Sequence, residues 1–227
     1  MISRAVNSSY FIFDCFDCAK VLAGTTRKSC SGREVLYRDL AVNRENAVGL
    51  KQCHSDRIAL VHEGLLEEIP ETDALITDAK GVLLTIRTAD CVPVFVFDSE
   101  NQVIALIHAG WKGAQLGIVK KTVAELVLKK GTRVQNLQVA FGPSIRACCY
   151  EFDPNHVAEF RPFVKPVNGK YHFNLLDYLI QELTGLGISK SSIFDSGICT
   201  FCNPEDFFSY RRDRDNPGRM ISFLMLK

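Results

Sequence analysis

A cysteine and a histidine stand at the ends of two apolar segments near the middle of the chain. Cys91 comes directly before residues 92–97, and His108 comes directly after residues 103–107. A thiol and an imidazole that lie side by side can bind one metal ion, or can act as a nucleophile and its base. A buried cysteine and a core histidine can also serve packing alone. Which of these roles the two residues can have therefore depends on how their secondary-structure elements place them relative to each other.

Both apolar segments have the composition of buried β-strands. They are rich in β-branched and aromatic residues, and about five polar residues, 98–102, join them. This pattern predicts a β-hairpin. If Phe97 faces Val103, the pairing places Cys91 opposite Ala109, and so beside His108 at one end of the hairpin.

A glycine-flanked segment, residues 110–113 (Gly-Trp-Lys-Gly), follows the histidine. An apolar pattern typical of a helix begins at about Ala114 and ends at Gly131. The free N–H groups at the start of this helix, together with Lys112, would favour an anion beside the cysteine–histidine pair.

These segments resemble those of a known family. Its members were first called laccase-domain or multicopper polyphenol oxidases and are now regarded as zinc-dependent purine nucleoside phosphorylases with adenosine deaminase activity. Single short motifs are weak signals, but a set in a fixed order is specific. Six segments resemble the family in its order, over about residues 50–227: 52–57, 73–77, 88–93, 108–113, 142–151 and 207–219.

The resemblance implies a zinc site formed by His54, Cys91 and His108, which would also be the catalytic residues. Three protein ligands with an open fourth position are typical of a catalytic zinc, whereas four ligands are typical of a structural one. The implied activities are phosphorolysis of adenosine, inosine or guanosine, and methylthioadenosine, together with deamination of adenosine. Purine nucleosides and phosphate are the implied partners, and the chain would be a monomer or a homodimer.

Four cationic residues are candidates for binding substrate or phosphate: Arg27, Lys112, Arg211 and Arg212. Paired guanidinium groups suit bidentate recognition of phosphate or carboxylate, although such a pair can also lie in a solvated turn. Arg27 lies in a segment similar to an early arginine-containing loop of the family, but Ser29-Cys30 replaces the usual glycine pair there.

Three alternatives to the zinc enzyme stay open. Copper-dependent oxidation of phenols is the first, although methionine occurs only at positions 1, 220 and 225 and a blue-copper site usually includes one near its cysteine. A metal-free hydrolase with Cys91 as nucleophile and His108 as base is the second. A metal-stabilised interaction domain without turnover is the third.

The remaining cysteines suggest a further site. Cys15 and Cys18 have zinc-knuckle spacing, and so have Cys199 and Cys202, so that the two pairs could form a four-thiolate zinc site. The adjacent residues 148 and 149 are also cysteines, but their side chains would point to opposite sides of an extended chain. We therefore do not expect that adjacent pair to bind one metal together.

Composition limits the class of protein. The chain has 227 residues, 47% of them hydrophobic and 23% charged, with a net charge of +1 and nine cysteines. This composition is sufficient for one large domain or two small lobes, and together with the family resemblance it predicts a single catalytic domain, residues 1–227. The odd number of scattered cysteines predicts reduced thiols in the cytoplasm. The absence of a basic patch argues against nucleic acid as a partner. No apolar run approaches the ~18 residues that a membrane span needs, and no signal peptide is evident.

The order of elements predicts an α+β fold with largely mixed or antiparallel sheets. The family resemblance implies that these sheets are layered and flanked by helices. Further predicted strands lie near residues 10–13, 21–23, 58–61, 73–77, 82–86, 137–141 and 220–226. Asn174 is a suitable N-cap for a helix over residues 175–183. The family resemblance implies a fold like the catalytic domain of cytotoxic necrotizing factors.

Overall fold

A computed structural model describes residues 9–30, 32–62, 68–214 and 218–227. Within these ranges the chain forms a mixed α+β structure with several sheets and few helices. The strands are β1 (Tyr10–Ile12), β2 (Val21–Thr26), β3 (Ala47–Val48), β4 (Leu50–Lys51), β5 (Ile58–Leu60), β6 (Ile69–Pro70), β7 (Ala74–Thr77), β8 (Leu83–Thr88), β9 (Val92–Asp98), β10 (Val103–Ala109), β11 (Leu137–Phe141), β12 (Glu151–Phe152), β13 (Val164–Val167), β14 (Lys170–Phe173), β15 (Ile193–Asp195) and β16 (Met220–Leu226). The α-helices are α1 (Arg33–Asp39), α2 (Trp111–Gln115), α3 (Ile118–Lys130), α4 (Leu175–Gly185) and α5 (Tyr210–Asp213), and short 3-10 helices cover Arg44–Asn46, Val134–Asn136, Pro154–Phe160 and Lys190–Ser192.

Two large sheets form the centre of the molecule. One has the strand order β1-β2-β16-β8-β3 and the other β15-β11-β9-β10-β7-β5, and two smaller sheets are β12-β14-β13 and β4-β6. Both large sheets are mainly antiparallel, with parallel pairing of β3 to β8, of β15 to β11 and of β5 to β7. The prediction of mixed and antiparallel sheets is confirmed.

Alternation along the strands builds four layers. Val94, Val96 and Ile107 of the six-stranded sheet pack against α3 and α4, whereas Phe95 and Phe97 pack against the five-stranded sheet. The opposite face of the five-stranded sheet packs against α1. Side chains in a strand point alternately to the two faces, so every second residue of β9 belongs to a different core. None of the helices in the described ranges has the length and apolar composition that crossing a bilayer requires.

The β9–β10 hairpin is present, but its predicted register is wrong by one residue. Ile104, not Val103, pairs with Phe97, and Val103 pairs with Asp98. The Asp98 carboxylate accepts the backbone N–H groups of residues 100 and 101 at 2.9 and 3.2 Å, which closes a four-residue turn. Asp98 therefore belongs to the strand rather than to the turn, because its side chain stabilises the chain reversal that follows it.

The predicted long helix after His108 is also different in the structure. It begins earlier, at Trp111, and is interrupted at Gly117, whose φ of 79° is in the left-handed region. The break separates the five-residue α2 from α3, which ends at Gly131 as predicted. Helix α4 is confirmed, and the side chain of Asn174 accepts the N–H of Asp177 at its start.

Candidate active site

His108 is fixed by the strand beside it. At the end of the β7–β10 pairing the N–H of His108 donates to the carbonyl of Asp73 at 2.8 Å, and the Asp73 carboxylate lies 2.7 Å from His108 Nδ1. Since a carboxylate only accepts, Nδ1 carries a hydrogen, and Nε2 is the nitrogen that remains for a second proton or a metal ion. Both side chains are buried, with exposed fractions of 0% for Asp73 and 4% for His108.

The same carboxylate shapes the loop that carries His54. It accepts the backbone N–H groups of Cys53, His54 and Ser55 at 3.2, 3.1 and 2.7 Å, and also the Ser55 hydroxyl at 2.7 Å. His54 has a φ of 63°, a conformation that costs a non-glycine residue on the order of 1–3 kcal/mol. One buried aspartate thus holds both histidines, one through its ring and the other through its backbone.

A second buried aspartate holds the cysteine. Asp90, directly before Cys91, has a φ of 87°. Its carboxylate accepts the hydroxyls of Thr200 and Ser209 at 2.7 and 3.0 Å and the N–H of Arg211 at 2.7 Å. These bonds join the start of β9 to the loop before α5, and they balance the strain of the left-handed backbone at Asp90.

The three predicted ligands meet at one point. One donor atom from each of His54, Cys91 and His108 lies within 4.8 Å of the others, and Cys91 Sγ is 3.6 Å from His54 Nε2. Gly110 leaves the room for this approach. A Cβ atom there would lie 2.7 Å from Cδ2 of His54 and 3.1 Å from the sulfur of Cys91.

The charged forms of Asp73, Cys91 and His108 stabilise one another electrostatically. Burial disfavours the charged Asp73, but hydrogen bonds from His108 and Ser55 outweigh it and hold the pKa of the carboxyl well below its ordinary value. Burial also disfavours the Cys91 thiolate, but His108 and His54 lower the pKa of Cys91 to about 6. Burial opposes the His108 cation as well, yet Cys91 and Asp73 raise the pKa of His108 to about 9. The metal-free site therefore holds a thiolate beside an imidazolium at neutral pH.

A cavity of about 1150 Å³ opens above the three residues. One part of its lining is aromatic, from Trp111, Tyr150, Phe152 and His156, and the Trp111 and His156 ring centroids are 4.6 Å apart. Another part is cationic, and its lining residues are Arg87, Arg211 and Arg219. A cavity with an apolar surface and a few converging polar groups is the usual form of a small-molecule site.

The predicted phosphate ligands are placed differently from one another. Arg211 lines the cavity, donates to the carbonyl of Glu151 at 2.9 Å and lies over the Tyr150 ring. The Arg212 guanidinium instead donates to the carbonyls of Thr200, Phe201 and Phe207.

Two other candidates also lie outside the cavity lining of the described chain. Arg27 forms an ion pair with Asp206 at 3.2 Å, and Lys112 lies over the Trp111 ring, with its Nζ 5.6 Å from the centroid. Of the four cationic candidates, Arg211 is thus the one whose side chain reaches the cavity.

Sequence reasoning missed the roles of Asp73 and Asp90. Both belong to segments that resemble the family, but the resemblance implied no role for either residue. A usable signal was the position of Asp73 at the start of a predicted strand, because pairing of that strand with β10 brings residue 73 beside residue 108. No comparable signal links Asp90 to Thr200, since 110 residues separate them.

The chain is similar to proteins of one known family. A family model described as multi-copper polyphenol oxidoreductase laccase matches residues 1–227. A purine nucleoside phosphorylase of Clostridium acetobutylicum is 37% identical over 183 residues, which span 78% of this chain and 76% of that protein. An adenosine deaminase, RL5, from an unknown prokaryotic organism is 32% identical over 212 residues, or 86% of this chain and 80% of that protein.

A known crystal structure has the same fold as this chain. The hypothetical protein YfiH of Bacillus licheniformis superposes with a TM-score of 0.91 at 28% identity, and the match covers 99% of this chain and 98% of that one. The family resemblance predicted from the sequence is confirmed, and the chain belongs to the family of multi-copper polyphenol oxidoreductase laccases.

Proposed function

We propose that the chain is a single catalytic domain that cleaves purine nucleosides with phosphate and also deaminates adenosine, with a zinc ion bound by His54, Cys91 and His108. The group of these three residues on the wall of the cavity carries the proposal. The names of the two relatives, one a phosphorylase and one a deaminase, support these activities.

The donor set fits such an ion. Asp73 occupies Nδ1 of His108 and leaves Nε2 for a metal, and a carboxylate behind a histidine ligand is the usual arrangement at zinc. Two imidazoles and one thiolate are ligands that zinc accepts, with a further position open to a substrate. When bound, zinc supplies a Lewis acid on the cavity wall.

The residues around the ligands have distinct tasks. The aromatic part of the cavity offers flat surfaces against which a purine base packs. Arg211 offers a charge-assisted contact for phosphate, and the carbonyl of Glu151 and the ring of Tyr150 hold its guanidinium in place. The five-residue helix α2 has too few aligned peptides to serve as the main anion site, so we assign phosphate to the cationic part of the lining.

One assay separates the two activities. The zinc-loaded protein is incubated with adenosine, inosine or methylthioadenosine, with and without phosphate, and the products are separated by chromatography. Phosphorolysis releases a free base and a sugar 1-phosphate only when phosphate is present, whereas deamination converts adenosine to inosine without it. Absence of turnover with every nucleoside would exclude the proposed function and favour an interaction domain.

A second candidate is a metal-free hydrolase. Cys91 with its lowered pKa, His108 and Asp73 have the composition of a nucleophile, a base and an orienting carboxylate. The two candidates differ in their response to chelation, because removal of metal abolishes the zinc activity and leaves a cysteine hydrolase active. Copper-dependent phenol oxidation, which the family description suggests, is tested by adding copper and measuring oxygen consumption with a phenol.

A further inference from the structure

Four other cysteines lie together at the surface. The thiol sulfurs of this cysteine cluster are all within 4.8 Å of one another, and its members are Cys148, Cys149, Cys199 and Cys202. Cys202 Sγ is 3.8 Å from Cys148 Sγ and 3.3 Å from Cys149 Sγ, and all four residues are free thiols. These distances are far longer than the ~2.05 Å of a disulfide bond.

The cluster differs from the site expected from the sequence. The predicted pairing of Cys199 and Cys202 with Cys15 and Cys18 is wrong. Cys15 packs against the core between the two large sheets, and the Cys18 thiol bonds to the carbonyl of Phe16. Residues of the adjacent pair were expected to diverge in an extended chain. They lie instead in a turn, in which the N–H groups of Cys149 and Tyr150 both donate to the carbonyl of Arg146 at 2.9 Å.

Hydrogen bonds hold the two halves of the cluster together. The N–H of Thr200 donates to the carbonyl of Ser144 at 3.0 Å, and Ser144 forms a parallel bridge with Cys199. The Arg146 side chain spans the same gap and donates to the carbonyl of Ile198 at 3.1 Å and to Asp195. The thiols are therefore brought together by the fold itself, which reduces the cost of ordering them around an ion.

We propose that the cysteine cluster is a structural zinc site with four thiolate ligands. Zinc binds thiolate at about 2.3 Å in a tetrahedron, whose edges are then about 3.8 Å long. The measured sulfur–sulfur distances of 3.3 and 3.8 Å lie near that value. Cys148 and Cys202 are exposed, so an ion can enter the cluster from solvent. Cys199 is buried and would bind the ion from the protein interior.

The site has a consequence for the cavity. Thr200, inside the turn between Cys199 and Cys202, donates to the carboxylate of Asp90, and Arg212 donates to the carbonyls of Thr200 and Phe201. Asp90 in turn accepts the N–H of Arg211. An ion in the cluster fixes the turn that supports both residues, so the cluster is a positioning element for the cavity.

Metal content tests the proposal independently of activity. We compare the wild type, Cys91→Ala and Cys202→Ser, purified with reductant, by elemental analysis, and check folding by circular dichroism. The expected zinc content is about two ions per chain for the wild type and about one for each variant. Cys18→Ser is the matched control, since it removes an exposed cysteine of the same spacing outside the cluster, and it should retain about two.

The outcomes distinguish this site from the His54–Cys91–His108 site. A folded Cys91→Ala protein that retains zinc, and releases it when mercurial reagent titrates the cluster thiols, supports the cluster site. The same folded variant without zinc overturns it, whether or not Cys202→Ser folds. Iron in place of zinc, or a Cys149–Cys202 disulfide in the reduced preparation, also overturns it. If the wild type and Cys91→Ala both hold about one zinc ion per chain, only the proposed catalytic zinc is contradicted.

Discussion

Two buried carboxylates hold the residues around the candidate active site in conformations that non-glycine residues rarely adopt. Asp73 stabilises the left-handed backbone of His54, and Asp90 itself has the left-handed backbone directly before Cys91. Each carboxylate accepts three or more hydrogen bonds from residues distant in sequence. A strained backbone conformation of this kind persists only where contacts with the surrounding residues stabilise it. Such conformations are common at functional sites.

Replacement of Asp73 by Asn should weaken zinc binding. The amide keeps the size of the side chain, but one of its ends donates, so it cannot accept from His108, His54 and Ser55 together. We expect the zinc affinity to fall roughly 10- to 100-fold, as for other groups behind a histidine ligand. Competition with a chromophoric chelator measures it. The control is Asp56→Asn, which removes a surface ion pair with Lys121. Equal zinc affinities of the two variants would contradict the role of Asp73 in holding the histidine ligands.

Gly110→Ala tests how closely the ligands must approach. Gly110 has φ −81° and ψ 171°, which alanine adopts freely, so the effect arises from the added methyl group and not from the backbone. That methyl group would contact His54 at 2.7 Å and Cys91 at 3.1 Å. Overpacking costs about 1–3 kcal/mol, which corresponds to roughly a 5- to 150-fold loss of zinc affinity.

The matched control for Gly110→Ala is Gly185→Ala at the end of α4. A Cβ atom at residue 185 would have no neighbour within 4 Å among the described residues. Its zinc affinity should equal that of the wild type. A Gly110→Ala protein with wild-type zinc affinity would show that the His54 loop moves freely and that the close packing has no role in metal binding.

The protonation state of Cys91 gives a prediction for pH. A lowered thiol pKa means that the thiolate exists above about pH 6 and is lost as the pH falls through that value. The metal-free protein should thus be alkylated by iodoacetamide at Cys91 with a midpoint near pH 6, measured by peptide mass spectrometry. In His108→Ala the midpoint should move up towards the ordinary thiol value of about 8.5, because the adjacent cation is lost. A wild-type midpoint near 8.5 would contradict the ion pair.

At the scale of elements, the sequence predicted the hairpin but not its register. The composition of β9 and β10 indicates two buried strands, and the polar residues between them indicate a turn. Pattern alone does not distinguish a five-residue turn from a four-residue turn, because that depends on whether Asp98 bonds to the residues after it. The break at Gly117 was missed for a similar reason, since an isolated glycine is compatible with a continuous helix.

Asp98→Ala should destabilise this hairpin. The carboxylate is fully buried and accepts two backbone N–H groups and the side-chain amide of Asn101, and alanine accepts none of them. We expect a loss of about 1–3 kcal/mol in the free energy of unfolding, measured by urea denaturation. Ser99→Ala is the control, because that exposed side chain lies in the same turn. Equal stability of the two variants would mean that strand packing alone sets the register.

At the scale of the whole molecule, the candidate site assembles from segments far apart in the chain. His54, Cys91 and His108 were predicted together through the family resemblance, and two of them also through the hairpin. The cysteine cluster and the bonds of Asp90 were not predicted, because they depend on turns whose shape arises from tertiary contacts. The likeness to the catalytic domain of cytotoxic necrotizing factors stays a prediction.

The two neighbouring arginines should separate into a binding residue and a structural one. Arg211 faces the cavity, whereas Arg212 is bound to three carbonyls. Lysine at position 211 keeps the charge but loses the planar fork, so the KM for phosphate should rise by an amount worth about 1–3 kcal/mol. Arg212→Lys should instead lower the free energy of unfolding, because one ammonium group cannot reach all three carbonyls.

Comparison of the two activities makes the assignment of Arg211 testable. Deamination needs no phosphate, so Arg211→Lys should retain most of its adenosine deaminase activity while phosphorolysis at limiting phosphate declines. Its zinc content should match the wild type, because arginine is not a metal ligand. Steady-state kinetics with varied phosphate, together with elemental analysis, measure both. Equal losses of the two activities with zinc retained would mean that Arg211 shapes the whole cavity, and the phosphate would then belong elsewhere on its cationic lining, at Arg87 or Arg219.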